Sequence, residues 1–389
     1  MTHKDTKRKK IIRITTVPGS LETFCHGQLS ELQRRGYEIV AVSSPLPDLQ
    51  VIADREGVRT LAVPMERHIS PVSDLRSLWQ LIRLFRRERP DMVHSMTPKA
   101  GLLSMIAARL TGVPVRAHTF TGLIWPTATG TKRKILMATD RILCSCATHI
   151  LPEGQGVLND LANFGITHKE LSILGNGNVR GIDPDYYNPD DPEVKAGAAA
   201  LRKPDVLTFI FVGRVVRDKG IVELVEAFSR LHAAHPATRL ILVGAQETAL
   251  DPLPQATRDA IGRNDAILAV GSQKDVRPWM AAADVLAFPS YREGFPNVVL
   301  EAGAMSLPSI VTDINGSREI VRDGFNGLVV PPHDVQALHD AMLLMLSDAD
   351  KRRQMASVAR KRVLDNWSRE IVSNALYDFY NEVLPARDK

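Results

Sequence analysis

Residues 207–234, LTFIFVGRVVRDKGIVELVEAFSRLHAA, decide the fold. LTFIFV, at 207–212, is an apolar run short enough for a buried strand. Gly213 then lets the chain turn, and 221–234 brings its apolar residues back at helical spacing. A buried strand, a turn and an amphipathic helix together form the repeating unit of a parallel sheet with crossover helices. The pattern recurs on both sides. Upstream, strands are expected at 11–17, 37–43, 58–63, 91–95, 115–120, 148–151 and 171–174, with helices between them that include 22–35, 74–89 and 99–110. Downstream, strands are expected at 239–243, 266–270, 285–288, 309–311 and 328–330.

One stretch breaks the alternation. GNGNVRGIDPDYYNPDDP, residues 175–192, is dense in Gly, Asn, Asp and Pro and reads as a linker. The expected architecture is therefore α/β with two doubly wound, Rossmann-like domains facing across a cleft. The first domain is placed at 1–180 and the second at 181–367. The amphipathic, aromatic segment 368–389 forms a closing helix that crosses back to the first domain. In such sheets ligands bind outside the carboxyl ends of the strands. The length of 389 residues suits two or three domains, and 44% hydrophobic with 24% charged residues excludes a disordered or fibrous chain. Three cysteines make neither a disulfide framework nor a zinc site. The amino terminus lacks the roughly 7–15 apolar residues of a secretory leader, and no window reaches the ~20 of a membrane span. A cytoplasmic protein is expected.

Two segments can carry chemistry. In GRVVRDKG, 213–220, Arg214 and Lys219 stand close to a helix start, a combination that suits a phosphate or diphosphate as well as it suits a solvated turn. The P-loop order is absent, and no G-x-G-x-x-G follows a strand. In SYREGFPNVVLEAGAMSLPSIVTD, 290–313, a helix is expected to start near Pro296. Glu293 lies in the loop before it and Glu301 inside it. Glu293 reads either as a helix-capping carboxylate or as a ligand for sugar hydroxyls, and Glu301 as a surface charge or a ligand.

EGFPNVVLE, 293–301, resembles the paired-glutamate motif of family 4 glycosyltransferases, retaining enzymes of the GT-B fold that use nucleotide sugars. GRVVRDKG resembles the same family's diphosphate-binding segment. ADVLAFPS at 283–290 and INGSREIVRDGFNGLVVPPHD at 314–334 extend the likeness almost continuously over 207–334. In the first half, MVHSMTPKAG, GVPVRAHTFTG and LSILGNGNVRGID carry it. The resemblance implies that Arg214 and Lys219 neutralise the donor diphosphate, with Gly213 at the turn. It implies that Glu293 contacts the donor sugar, Glu301 holds the ribose, and the Phe295, Pro296, Asn297 and Val298 backbone meets sugar hydroxyls or phosphate. Gly19 and Ser20, in a loop 16–20 after the first strand, would approach the diphosphate, although many relatives have two glycines there. Relatives often place a histidine before a glycine after the fifth strand. Here Thr121 precedes Gly122, and His118 lies three residues earlier, so either residue is a candidate for that role. Base recognition is expected in the loop 271–277.

The implied reaction is retaining transfer of a hexosyl or N-acetylhexosaminyl group in cell-envelope glycan synthesis, of lipopolysaccharide or capsule type. No cofactor is expected, and no metal, because the two cations take a metal's place and no Asp-x-Asp lies where it would hold one. A sugar-nucleotide epimerase of the same fold is the competing enzyme class. A basic lipid- or nucleic-acid-binding protein is the non-enzymatic one, although no nucleic-acid recognition pattern is present.

The net charge of +5 hides an asymmetry. Residues 1–180 carry 25 basic and 15 acidic side chains, whereas 181–389 carry 24 and 29. DLRSLWQLIRLFRRERP, 74–90, combines Leu75, Trp79 and Phe85 with five arginines, and Lys132–Lys134 add more positive charge. At helical spacing these apolar residues fit a core face or a membrane-facing one. Polyprenyl-linked or other lipid-anchored acceptors, common in the family, point to peripheral contact with an anionic membrane.

Overall fold

A computed structural model describes residues 8–66, 68, 70–247 and 251–384; Lys4 and Lys7 of the basic amino terminus lie outside them. The chain divides into two compact units, one of residues 1–181 with 370–389 and one of 182–369. Each is a six-stranded parallel sheet.

In the first unit the strands are β1 (Lys10–Ile14), β2 (Glu38–Ser43), β3 (Arg59–Ala62), β4 (Met92–Ser95), β5 (Val115–Phe120) and β6 (His149–Pro152), in the order β3-β2-β1-β4-β5-β6. The order reverses between β1 and β4, where Ile12 pairs with Val40 on one side and Val93 on the other. Residues 171–174 form no strand: Leu171 makes only an isolated bridge to Ile150. The expected helix 22–35 is two helices, Pro18–Cys25 and Gln28–Arg34, separated at left-handed Gly27. Gly19 and Ser20 consequently lie in a first helical turn, where Pro18 is favoured, and not in a loop.

Alternating side chains give this sheet two buried faces. One packs the helices Pro71–Glu88, Pro98–Leu110 and Gly130–Cys146 over Ile12, Val40 and Val93. The other is covered partly by the last helix, Arg369–Val383, whose Leu376, Phe379 and Tyr380 join Ile11, Leu29 and Ile39. Each such side chain contributes about 1.5–3 kcal/mol by its burial. Buried Arg13 donates to Tyr380 Oη at 2.8 Å, which leaves the hydroxyl proton for His94 Nδ1 at 2.6 Å. His94 Nε2 then donates to Thr119 Oγ1 at 2.7 Å. Burial first, then the Arg13 charge, hold His94 well below its usual titration range, while burial pushes Tyr380 up to about 12.

The second unit contains β7 (Leu207–Val212), β8 (Thr238–Val243), β9 (Ile267–Gly271), β10 (Val285–Phe288), β11 (Ser309–Thr312) and β12 (Gly327–Val330), in the order β12-β11-β10-β7-β8-β9. All six expected strands are present. Here the order reverses between β7 and β10, where Val285 pairs with Phe209. Five of the strands are buried along nearly their whole length, as expected when helices cover both sides of a parallel sheet, while edge strand β9 exposes Leu268 and Ala269. Among the described residues no helix is long and apolar enough to cross a membrane.

Candidate active site

The reversal point of the second sheet assembles the glycosyltransferase-like segments. Beyond β7 the chain runs through Gly213 and Arg214 to a short 3-10 turn, Arg217–Lys219, and then into the helix Ile221–Ala234. Gly220 has φ +70, and a Cβ there would lie 2.0 Å from the Pro289 carbonyl oxygen. That approach requires glycine, and it brings the turn bearing Lys219 against the loop that follows β10.

Lys219 Nζ donates to Glu293 Oε1 and stands 5.5 Å over the Phe288 ring. Ser290 Oγ donates to the same carboxylate oxygen at 2.7 Å. Two further contacts join these segments. The Tyr291 N–H donates to the Asp218 carbonyl at 2.9 Å, and Arg292 reaches the Asp218 carboxylate at 3.1 Å. Tyr291 Oη donates to Glu223 at 2.6 Å, its ring centroid is 3.7 Å from that of His333, and burial raises its pKa. Arg214 is exposed beside the carboxyl end of β8 and donates to Glu247 Oε2 at 2.7 Å.

The helix after this loop is Asn297–Ala304, with Pro296 at its N-cap. Phe295 is buried, its ring 5.6 Å from Trp367, and Pro296 is buried beside it. Asn297, Val298 and Glu301 are half-buried on the helix. Gly213, Arg214, Lys219, Glu293 and Phe295–Glu301 are thus gathered at the carboxyl ends of adjacent strands, the position where open α/β sheets bind ligands. A phosphate there would meet two cations and the positive end of a helix dipole. In the loop 271–277, Arg277 is already engaged by Asp275 at 2.6 Å and lies 3.8 Å over the Tyr186 ring. Gln273 Nε2 in the same loop donates to the Val270 carbonyl at 2.8 Å.

Gly19, Ser20 and His118 belong to the first unit. His118 lies on β5, 1% exposed, with Nδ1 2.7 Å from Ser95 Oγ and its ring edge-on to Phe120. It packs so tightly under the helix Pro98–Leu110 that a Cβ on Gly101 would fall 2.4 Å from its Cε1. Burial lowers its pKa to about 3. A catalytic role for His118 is not favoured by this placement, which encloses the imidazole between β5 and the helix Pro98–Leu110. Half-buried Thr121 is the residue at the carboxyl end of β5, where its hydroxyl donates to the Met96 carbonyl at 3.0 Å.

Sequence reasoning passed over Ser290, Glu247, Asp218 and Tyr291. Each stands next to a motif residue or at the carboxyl end of an adjoining strand, and that placement is the signal that could have drawn attention to them.

Comparison with known proteins fits this geometry. Residues 197–362 match the family model described as Glycosyl transferases group 1, and residues 19–177 match the Glycosyl transferase 4-like domain. The chain is 30% identical, over 97% of its length and 98% of the relative's, to the capsular polysaccharide biosynthesis glycosyltransferase CapM of Staphylococcus aureus. It is 28% identical, over 75% of its length and 76% of the relative's, to an Escherichia coli UDP-Gal:alpha-D-GlcNAc-diphosphoundecaprenol alpha-1,3-galactosyltransferase. Among solved structures, Anabaena Alr3699/HepE in complex with UDP-glucose superimposes with a TM-score of 0.79 at 17% identity, covering 96% of this chain and 99% of that one. The Staphylococcus aureus and Escherichia coli relatives are named as transferases, which sets transfer above the epimerase and non-enzymatic readings.

Proposed function

The chain belongs to the group 1 glycosyl transferases, with the GT-B fold, and we propose that it moves a hexosyl or N-acetylhexosaminyl group from a nucleoside-diphosphate sugar to a lipid-linked or glycan acceptor, with retention of configuration, in cell-envelope glycan synthesis. The observation that carries this reading is the cluster of Lys219, Glu293 and Arg214 at the reversal point of the second sheet.

The donor diphosphate draws Arg214 and Lys219 away from Glu247 and Glu293, and its negative charge is balanced by both cations. As the bond from the sugar's anomeric carbon to the diphosphate oxygen breaks, charge grows on that oxygen. In measured oxyanion sites, where the donors are already in place, each contributes about 3–4 kcal/mol. The acceptor hydroxyl bonds to the anomeric carbon on the face the leaving group vacates, and its proton passes to the leaving phosphate. Glu293 orients the sugar and Glu301 the ribose. No metal is needed, because Arg214 and Lys219 supply the positive charge; relatives whose names specify a diphosphoundecaprenol acceptor favour a lipid-linked one.

Such an acceptor brings the first unit to a cytoplasmic membrane surface, and the helix Pro71–Glu88 fits that task. Its core side presents Leu81, Leu84 and Phe85. On the opposite side Val72, Leu75 and Trp79 are 85%, 68% and 55% exposed, sharing one face with exposed Arg76, Arg83, Arg86 and Arg87. The Arg83 guanidinium lies 4.4 Å over the Trp79 ring.

The test is product mass spectrometry from a panel of nucleotide sugars with a short-chain polyprenyl-diphosphate sugar acceptor. One donor should give a single added sugar with retained anomeric configuration, and Lys219→Ala should abolish it without lowering the melting temperature. Wild-type turnover in Lys219→Ala sinks the site assignment.

A further inference from the structure

We infer that Ser290 is a positioning residue, holding the Glu293 carboxylate in place while Lys219 is engaged with the donor diphosphate. The inference rests on the roles proposed above for Glu293 and Lys219.

Ser290 follows β10 by two residues and is 0% exposed. Its hydroxyl has one proton and three acceptors in reach: Glu293 Oε1 at 2.7 Å, the Arg292 carbonyl at 3.3 Å and the Asp218 carbonyl at 3.4 Å. The carboxylate is both the nearest and the charged acceptor, so it takes the proton. Glu293 Oε1 therefore has two donors of different character. Lys219 carries its ammonium on a flexible four-carbon stem, and a diphosphate competes with Glu293 for that charge. Ser290 has a single side-chain torsion, and its own carbonyl accepts from buried Thr312 Oγ1 on the adjacent strand β11. The serine cannot follow the phosphate. With the lysine drawn away, Ser290 alone of the two keeps the carboxylate where the sugar needs it. The core thus fixes one donor of the pair and leaves the other free to move, so donor binding does not disorder Glu293.

Three variants measured together test this: Ser290→Ala, Ser290→Thr and Glu293→Gln. Nucleoside-diphosphate binding is followed by calorimetry, and kcat and KM with the donor that the nucleotide-sugar panel identifies. Losing a hydrogen bond to a charged group lowers the rate by about 10- to 100-fold. Ser290→Ala should lose that much in kcat and keep its nucleoside-diphosphate affinity within about twofold. Ser290→Thr, which retains the hydroxyl, should recover most of the loss. A kcat near wild type in Ser290→Ala, alongside a dead Glu293→Gln, overturns the inference and leaves the proposed site standing. Retained turnover in Glu293→Gln overturns both. A Ser290→Ala variant that loses affinity and kcat in parallel, with no rescue by threonine, makes Ser290 a packing residue only and also overturns it. If the alanine variant is too unstable to assay, Ser290→Cys keeps the volume with only a weak donor, and the same loss in kcat is expected.

Discussion

The Arg214 guanidinium is held by Glu247 and the Lys219 ammonium by Glu293, so a diphosphate entering the proposed site would have to displace a carboxylate from each cation. At the Arg214–Glu247 pair, where the guanidinium is exposed and the carboxylate half-buried, the competition is small, since surface pairs are worth about 0.2–1 kcal/mol. Glu247→Gln should therefore tighten nucleoside-diphosphate binding by up to about fivefold, with a weaker effect at high salt; calorimetry at two ionic strengths measures both. Unchanged or weaker binding would show that Glu247 does not compete. Residue identity alone also did not reveal that His118 is enclosed. Neighbouring strand positions face opposite sides of a sheet. A sequence gives the spacing between His118 and Thr121, but not which helix closes over each face. Gly101, whose missing side chain makes room for the imidazole, lies on that helix and is unremarkable in sequence.

At the scale of elements, all twelve strands were legible because buried parallel strands are short apolar runs bounded by turn residues. The false strand at 171–174 has the same apolar character but forms only the Leu171–Ile150 bridge. The break at Gly27 was missed because apolar residues on both sides keep one helical period through it. Glu293 and Lys219 were legible as motif residues. Their pairing was not, because it depends on how closely Gly220 approaches Pro289. The helix Pro71–Glu88 shows the limit of periodicity most clearly, since its pattern predicted an apolar face but its exposed Val72, Leu75 and Trp79 form a second one. This face should bind vesicles containing anionic phospholipid at low salt. Replacing Leu75 and Trp79 by serine should move the protein to the unbound fraction in a flotation assay, with turnover on a short-chain soluble acceptor retained. Equal flotation of wild type and variant, or none with anionic vesicles, would rule the face out as a membrane contact.

Across the whole molecule, buried titratable groups of the first unit act in opposite directions on stability. His118, lowered to about 3, takes up a proton in the unfolded chain near the usual 6.5, so stability grows as pH rises from about 3 to 6.5. His94, also held low by burial, adds to that trend. Burial pushes Asp140 up to about 7 against the opposing pull of the Trp125 indole N–H 3.0 Å away. The unfolded chain gives up that proton near 3.8, so Asp140 makes stability fall as pH rises between 3.8 and 7. Each proton is worth up to about 1.4 kcal/mol per pH unit. Asp140→Asn removes the falling component, so its urea midpoint should rise more steeply between pH 5 and 6 than that of wild type; equal slopes would show that Asp140 is ionised throughout. The units also differ in how they occupy the chain. Residues 182–369 are continuous, and as a fragment they should fold and bind a nucleoside diphosphate, as a thermal shift would reveal. Residues 1–181 alone leave Arg13 buried without the hydroxyl of Tyr380, 367 positions away. On the ribosome this reverses the usual order of completion. The unit synthesised first waits, with one sheet face only partly covered, until the last helix emerges, and it is this unit that would need a chaperone's shelter during synthesis.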